Sequence, residues 1–116
     1  MTYAPFMQRV AKSVMVAHKI SFAPEARDDL LNLYLYIAGR SGDSVALAYI
    51  ERIEIYCRNF AESPERGMRR DDLFPGLRVV GFERRISIAF HISTDTVTFD
   101  RILYGGRDLS MLADET

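Results

Sequence analysis

The sequence RRISIAFHISTDTVTFDRILY, residues 84–104, has the clearest strand pattern of the chain. In its first half, apolar residues alternate with small or polar ones, as in a strand with one buried face; the apolar positions are Ile86, Ile88, Phe90 and Ile92. In its second half, one side carries Val97, Phe99, Arg101 and Leu103, and the other carries Thr98, Asp100, Ile102 and Tyr104. Residues 93–96 are polar and suit a tight turn. The pattern predicts a β-hairpin whose second strand is partly covered on both faces, as a central strand is.

A lone hairpin is only marginally stable in water, so the rest of the chain must cover its apolar face. Upstream, residues 19–22 alternate like a short strand. Pro24 is well placed in the first turn of a helix, which we expect to end at Gly39 or Gly42. Asp43 can cap a second helix, whose apolar residues recur at steps of four and three. The short link between the helices predicts an antiparallel helical hairpin.

The second helix is expected to stop at Ser63-Pro64, since the residue before a proline disfavours helical geometry. Residues 65–76 have the glycine and proline content of a loop, and residues 77–82 form a further strand pattern. The order is therefore β-α-α-β-β-β. It predicts an α+β fold with the helical hairpin packed on a small, mainly antiparallel sheet and the first strand at an edge. We expect residues 19–116 to form a single domain and residues 1–18 to be an N-terminal extension outside the core.

Composition narrows the class of protein. The chain has 116 residues, a formal net charge of -1 and 48% apolar residues, which is ordinary for a globular protein. The basic field typical of a nucleic-acid binder is absent. Cys57 is the single cysteine, so no internal disulfide can form, which fits the cytoplasm as the expected location. No apolar run approaches the roughly 18 residues that a membrane-spanning helix needs.

Side chains suited to catalysis or metal binding are few. His18 and His91 are the only histidines, and no spacing resembles a zinc site, so neither a metal nor another cofactor is expected. A metal-free RNA-cleaving site could be assembled on the sheet from arginines that hold a phosphate and a histidine or tyrosine that moves a proton. Its candidate residues are Arg78, Arg84, His91, Arg101 and Tyr104. The alternative is that the arginines brace the sheet against acidic neighbours.

Four segments resemble the ParE-type toxins of bacterial type II toxin-antitoxin systems. FAPEARDDL at residues 22–30 resembles the start of that family's first helix, and SPERG at residues 63–67 the exit from its second. RDDLFPGLR at residues 70–78 resembles the loop into its second strand. ILYGGRDL at residues 102–109 resembles its last strand and tail. The resemblance runs from about Lys19 to Leu109, and the family has the fold order given above.

The resemblance implies a toxin that inhibits DNA gyrase, is neutralised by a cognate ParD-like ribbon-helix-helix antitoxin and serves plasmid or chromosome stabilisation. It implies no sequence-specific nucleic-acid binding. The related RelE branch instead cuts messenger RNA on the ribosome, and its members tend to be basic and to carry a tyrosine near the C-terminus. Here no tyrosine follows Tyr104, and the net charge is -1, which favours the ParE branch. A ribosome-dependent endoribonuclease and a non-toxic binding module that retains only antitoxin affinity remain as alternatives.

Two surfaces are predicted for these partners. The wide apolar arc of the first helix and the tyrosines of the second suggest a groove for an amphipathic antitoxin helix; its residues are Leu31, Tyr34, Leu35, Tyr49 and Tyr56. The end of the last strand and the tail combine an aromatic residue and an arginine with apolar side chains, as interface anchors do. The candidate gyrase contacts are Tyr104, Arg107, Leu109, Met111 and Leu112.

Overall fold

The predicted hairpin lies at the centre of the fold. The computed structural model describes residues 17–105. Strand β4, Ile86–Ile92, pairs antiparallel with β5, Thr96–Tyr104, through the turn at residues 93–95. The apolar positions of β4 behave as the alternation predicts, since Ile86, Ile88 and Phe90 are buried in the main core. β5 is a central strand with neighbours on both sides.

The described residues form one five-stranded sheet with the order β1-β5-β4-β3-β2. β1, Lys19–Phe22, pairs parallel with β5 and forms one edge, while β3, Arg78–Phe82, pairs antiparallel with β4. The predicted α+β fold, a helical hairpin on a mainly antiparallel sheet, is therefore confirmed. One strand was not predicted. It is β2, Met68–Arg69, which lies in the predicted loop and forms the other edge of the sheet. Two residues are too few to display a strand period.

A β-bulge interrupts the pairing of β4 with β5. Ala89 pairs with Arg101 and Phe90 with Phe99, which leaves Asp100 as an additional residue on β5. An additional residue reverses the alternation of side chains beyond it. Val97 and Phe99 before the bulge, and Ile102 and Tyr104 after it, therefore all pack into the same core. The prediction that Ile102 and Tyr104 lie on the face opposite Val97 and Phe99 is wrong for this reason.

The two helices form the predicted hairpin. Helix α1, Pro24–Ser41, begins with Pro24 at its first position, where a missing N–H costs nothing. It ends at Gly42, whose φ of +96° suits glycine and whose N–H donates to the Ala38 carbonyl at 2.9 Å. Helix α2 is Asp43–Arg58. Its cap is Gly42 and Asp43 is its first residue, so the predicted capping role of Asp43 is wrong.

Phenylalanines fill the space between the helices and the sheet. Phe60, in the 3₁₀ turn Asn59–Ala61 after α2, meets the rings of Phe90 and Phe99 edge-on with centroids 5.1 and 5.5 Å away. Phe22 of β1 stacks on Phe99 at 5.4 Å. Cys57 of α2 is fully buried beside them, and burial raises the pKa of its thiol to about 12. This packing fixes α2 and the start of the loop that follows against the sheet.

A smaller apolar cluster lies on the other face of the sheet. Leu77 and Ala89 are buried there, with Leu73 and Val79 packed against them. The loop before β3 supplies Leu73 and Leu77 to this face. The same loop passes close to β3 at Gly67, where a Cβ atom would lie 2.4 Å from the Val79 carbonyl oxygen. Glycine is required at that point for both its φ of +80° and its close approach to β3. The loop thus covers the β3 side of this face.

Candidate interaction surfaces

Arg101 is largely buried and forms an ion pair with Asp29 of α1. Its Nε and an Nη donate to the two carboxylate oxygens of Asp29 at 2.8 and 3.1 Å, and the Ile102 N–H donates to Asp29 at 2.8 Å. The side chains of Arg101 and Asp29 are only 11% and 8% exposed. This arrangement joins α1 to the bulge of β5. A carboxylate with three such donors satisfies much of its hydrogen-bonding capacity while buried.

His91 points away from the helices. It follows Phe90, which packs in the main core, and its Nδ1 lies 2.7 Å from the Asp100 carboxylate. Burial raises the pKa of Asp100, and the hydrogen bond and charge of His91 oppose that rise. The bulge that displaces Asp100 from the strand register thus supplies the partner of His91. The pair forms a half-exposed polar site on the outer face of the sheet.

The remaining ribonuclease candidates lie elsewhere. Arg78 is paired across the sheet with Phe90, so it lies on the helix face, where Nη1 donates to the Arg66 carbonyl at a long 3.4 Å. Arg84 is exposed in the turn beyond the opposite end of β3. The length of β3, about 13 Å, therefore separates Arg84 from Arg78. The structure therefore does not bring the five residues together into one site.

The predicted antitoxin residues occupy two regions. Leu31 and Leu35 are 56% and 57% exposed on α1, and Tyr34 beside them is half-buried. Partial desolvation and the nearby Asp43 raise the pKa of Tyr34. Tyr49 and Tyr56 of α2 instead pack on Phe82 of β3, with ring centroids 6.1 and 5.1 Å away. Antitoxin contact remains a prediction for all five, and the freely accessible apolar part is on α1.

A cluster of tyrosines and arginines lies where β5 ends. Tyr104 packs on Tyr36 of α1, with ring centroids 5.5 Å apart. The Arg40 guanidinium lies 4.7 Å from the centroid of the Tyr36 ring. The Arg85 guanidinium donates to the Tyr104 hydroxyl at 3.4 Å, and this contact raises the pKa of Arg85. Tyr104 was a predicted gyrase contact. The other four, Arg107, Leu109, Met111 and Leu112, lie outside the described residues, as does most of the predicted extension at residues 1–18.

A comparison with protein families decides the identity. The family described as "ParE toxin of type II toxin-antitoxin system, parDE" matches residues 20–109. The chain belongs to the ParE toxin family. The match covers most of the chain and all four segments on which the resemblance was based. This toxin has no helix within residues 17–105 long and apolar enough to cross a membrane.

The fold of the toxin agrees with a solved relative. A structure described as "Chromosomal ParDE TA system from P. aeruginosa" superposes with a TM-score of 0.68 at 21% sequence identity. The match covers 78% of this chain and 98% of the other. At this identity the similarity concerns the fold. No curated protein matches the sequence significantly.

Sequence reasoning missed several features of the toxin that depend on distant pairing. Asp29 lies near the start of α1, where an acidic residue favours the helix dipole, and nothing local indicates that its carboxylate binds an arginine 72 residues away. Tyr36 and Arg40 are four residues apart on α1, the spacing at which helical side chains meet, and that signal was available. Their contact with Tyr104 depends on the bulge, which the sequence does not indicate.

Proposed function

We propose that this ParE toxin inhibits DNA gyrase by binding and has no catalytic site of its own. The observation that supports this most is the dispersal of the residues that an RNA-cleaving site would need. Arg78 and His91 lie on opposite faces of the sheet, and Arg101 is held in a buried ion pair. An RNA-cleaving mechanism requires a phosphate-holding arginine and a proton donor within reach of one scissile bond.

A second partner is a cognate antitoxin. Membership in a toxin-antitoxin family, and the ParDE system to which the fold is similar, support this partner. We propose that the antitoxin is a ribbon-helix-helix protein whose amphipathic helix covers the apolar face of α1 at Leu31, Tyr34 and Leu35. More than half of each leucine side chain is exposed to water. Exposed apolar area of this kind is unfavourable in water and becomes favourable when a partner buries it.

This function places the toxin in the bacterial cytoplasm, where gyrase and the antitoxin are found. In cells that lose the antitoxin, inhibited gyrase leaves DNA breaks. Cells that keep a plasmid or chromosome carrying both genes are spared, and this stabilises that plasmid or chromosome. The ribosome-dependent endoribonuclease is the second candidate. Its specific support is the His91–Asp100 pair, an imidazole 2.7 Å from a carboxylate on the accessible face of the sheet.

The deciding experiment measures both activities with toxin freed of antitoxin. Gyrase, relaxed plasmid and ATP are incubated with increasing toxin, and supercoiling and cleaved DNA are quantified. In parallel, messenger RNA in programmed ribosomes is assayed for cleavage. We expect loss of supercoiling, accumulation of cleaved plasmid and intact messenger RNA. Messenger RNA cleavage that is lost in Arg78→Ala or His91→Ala would replace this proposal with the endoribonuclease, and inactivity in both assays would favour the non-toxic binding module.

A further inference from the structure

The turn between β3 and β4 adopts a backbone conformation that its residues disfavour. The Arg85 N–H donates to the Phe82 carbonyl at 3.3 Å and closes the turn. The two residues between them, Glu83 and Arg84, have φ of +49° and +63°. Positive φ at both central positions is the geometry of a type I′ turn, which favours Asn-Gly because side chains with a Cβ atom are strained there. The turn therefore carries two charged side chains at a conformational cost.

One of these side chains has a structural partner and the other does not. Glu83 accepts two hydrogen bonds from Arg52 of α2 at 3.0 and 3.1 Å, which ties the turn to the helix. Within residues 17–105, Arg84 makes no hydrogen bond and no ion pair, and it is exposed. A strained, exposed residue without a hydrogen bond or ion pair in the described part of the chain suggests a role in binding.

The turn adjoins the tyrosine cluster at the end of β5. We define the arginine–tyrosine patch as five residues from α1, the turn and β5: Tyr36, Arg40, Arg84, Arg85 and Tyr104. Tyr104 lies between Tyr36 and Arg85, with which it makes direct contact. Among the described residues, no carboxylate lies within ion-pair distance of Arg40, Arg84 or Arg85. The patch thus carries three positive charges that no carboxylate of the described residues pairs with; Arg40 and Arg85 contact its two tyrosines, and Arg84 is the neighbour of Arg85 in the turn.

We propose that the arginine–tyrosine patch is the docking surface for an acidic surface on the protein that the toxin inhibits. Tyrosine and arginine are the residues most enriched among binding hot spots, and the guanidinium fork matches a carboxylate. A nucleic acid also carries anions, but a chain with a net charge of -1 lacks the field that attracts a phosphate backbone. Carboxylates of a protein partner are therefore the better match. The inference rests on the proposed function in one respect, which is that gyrase is taken as the protein partner.

The test separates binding from stability by using the strain of the turn. In Arg84→Gly, the charge is removed and the backbone relaxes, so the melting temperature should rise by about 2–5 °C. Inhibition of gyrase should nevertheless weaken at least about tenfold in the double variant Arg84→Gly/Arg85→Ala. Raising the salt from about 50 to 200 mM should weaken inhibition by the wild type more than by this variant, because screening acts on the removed charges. The control is Arg27→Ala/Arg58→Ala, which removes two exposed arginines from the helices.

Two further readouts assign the partner. Growth arrest on expression reports action of the toxin on any target. A toxin that arrests growth but does not inhibit gyrase would refute the gyrase assignment. Loss of growth arrest in the double variant would then still support the arginine–tyrosine patch as the docking surface. Equal potency of wild type and double variant, in growth arrest and on gyrase, would overturn the proposal. A variant that stays fully toxic but no longer binds the antitoxin would assign the patch to the antitoxin instead. A gel shift of duplex DNA by wild type that the variant loses would assign it to phosphate.

Discussion

The carboxylate of Asp29 in helix α1 accepts hydrogen bonds from Arg101 and from the N–H of Ile102, directly beyond the bulge in β5. These contacts hold the helical hairpin in a defined position on the strand that ends at the arginine–tyrosine patch. Both side chains are nearly inaccessible, so their ion pair compensates two charges that are withheld from water.

Breaking this pair on one side should therefore be strongly destabilising. Asp29→Ala removes the carboxylate that compensates a buried guanidinium and should lower the free energy of unfolding by about 3–5 kcal/mol. Asp29→Leu/Arg101→Met, which removes both charges, should recover much of that loss. Urea denaturation followed by circular dichroism measures both. The control is Arg69→Ala, which breaks the exposed pair with Asp71 and should cost little. A loss below about 1 kcal/mol in Asp29→Ala would contradict the structural role of the pair.

The parts of the fold that the sequence predicts are those set by local patterns. The alternation in residues 86–92 and the four-and-three spacing in α2 depend on neighbours only, and both elements formed as predicted. The bulge at Asp100 depends on how β5 aligns with β4, a relationship that no residue of β5 specifies by itself. Because the bulge reverses the side-chain alternation, the predicted faces for Ile102 and Tyr104 failed. Strand β2 was missed because it exists only through pairing with β3.

The candidate surfaces divide in the same way. The exposure of Leu31 and Leu35 follows from an apolar arc too wide for one sheet, which the sequence shows directly. The packing of Tyr49 and Tyr56 on Phe82 requires the angle between α2 and β3, and this was not predictable from α2 alone. The positive φ of Arg84 likewise arises from the register of β3 with β4, although glycine or asparagine would have indicated it.

Stability should depend on pH through Asp100. Burial raises the pKa of its carboxyl above the ordinary value in spite of His91. A carboxyl with a higher pKa in the folded state destabilises the fold when it ionises, so the free energy of unfolding falls as pH rises from about 3.9 through the folded pKa. Asp100→Asn has no carboxyl that ionises at this position. The free energy of unfolding of the variant, relative to that of the wild type, should therefore increase as pH rises over that interval. Asp95→Asn, in the exposed turn, is the control, and a constant difference for Asp100→Asn would contradict the prediction.

Cys57 should be chemically inert in the folded toxin. Its thiol is fully buried, and burial raises its pKa to about 12, so the reactive thiolate is scarce at pH 8 and shielded from reagents. Alkylation by iodoacetamide, followed by mass spectrometry, should proceed only as fast as the protein unfolds. The rate should increase steeply with urea and reach that of a free thiol in the denatured chain. Rapid labelling without denaturant would show that the core around Phe60 opens locally.

Binding of the antitoxin should depend on the apolar face of α1. Tyr34→Asp places a charge between Leu31 and Leu35 at a half-buried position and should weaken the complex at least about tenfold without unfolding the toxin, which circular dichroism checks. Titration calorimetry with the purified antitoxin measures the affinity. Met68→Asp is the control, because Met68 is exposed on the β2 edge of the sheet. Normal affinity in Tyr34→Asp would exclude this face as the antitoxin site.

The segment after β5 is the last candidate for a target contact. Removal of the residues after Gly106 deletes the predicted contacts Arg107, Leu109, Met111 and Leu112. We expect it to abolish gyrase inhibition and to preserve antitoxin binding through α1, because the two surfaces are made by different residues. Supercoiling assays and calorimetry on the same preparation measure both effects. Replacing Leu109, Met111 and Leu112 with serine is the matched control for length. If this full-length variant inhibits normally while the shortened chain does not, the apolar side chains are not the contact and Arg107 becomes the principal candidate.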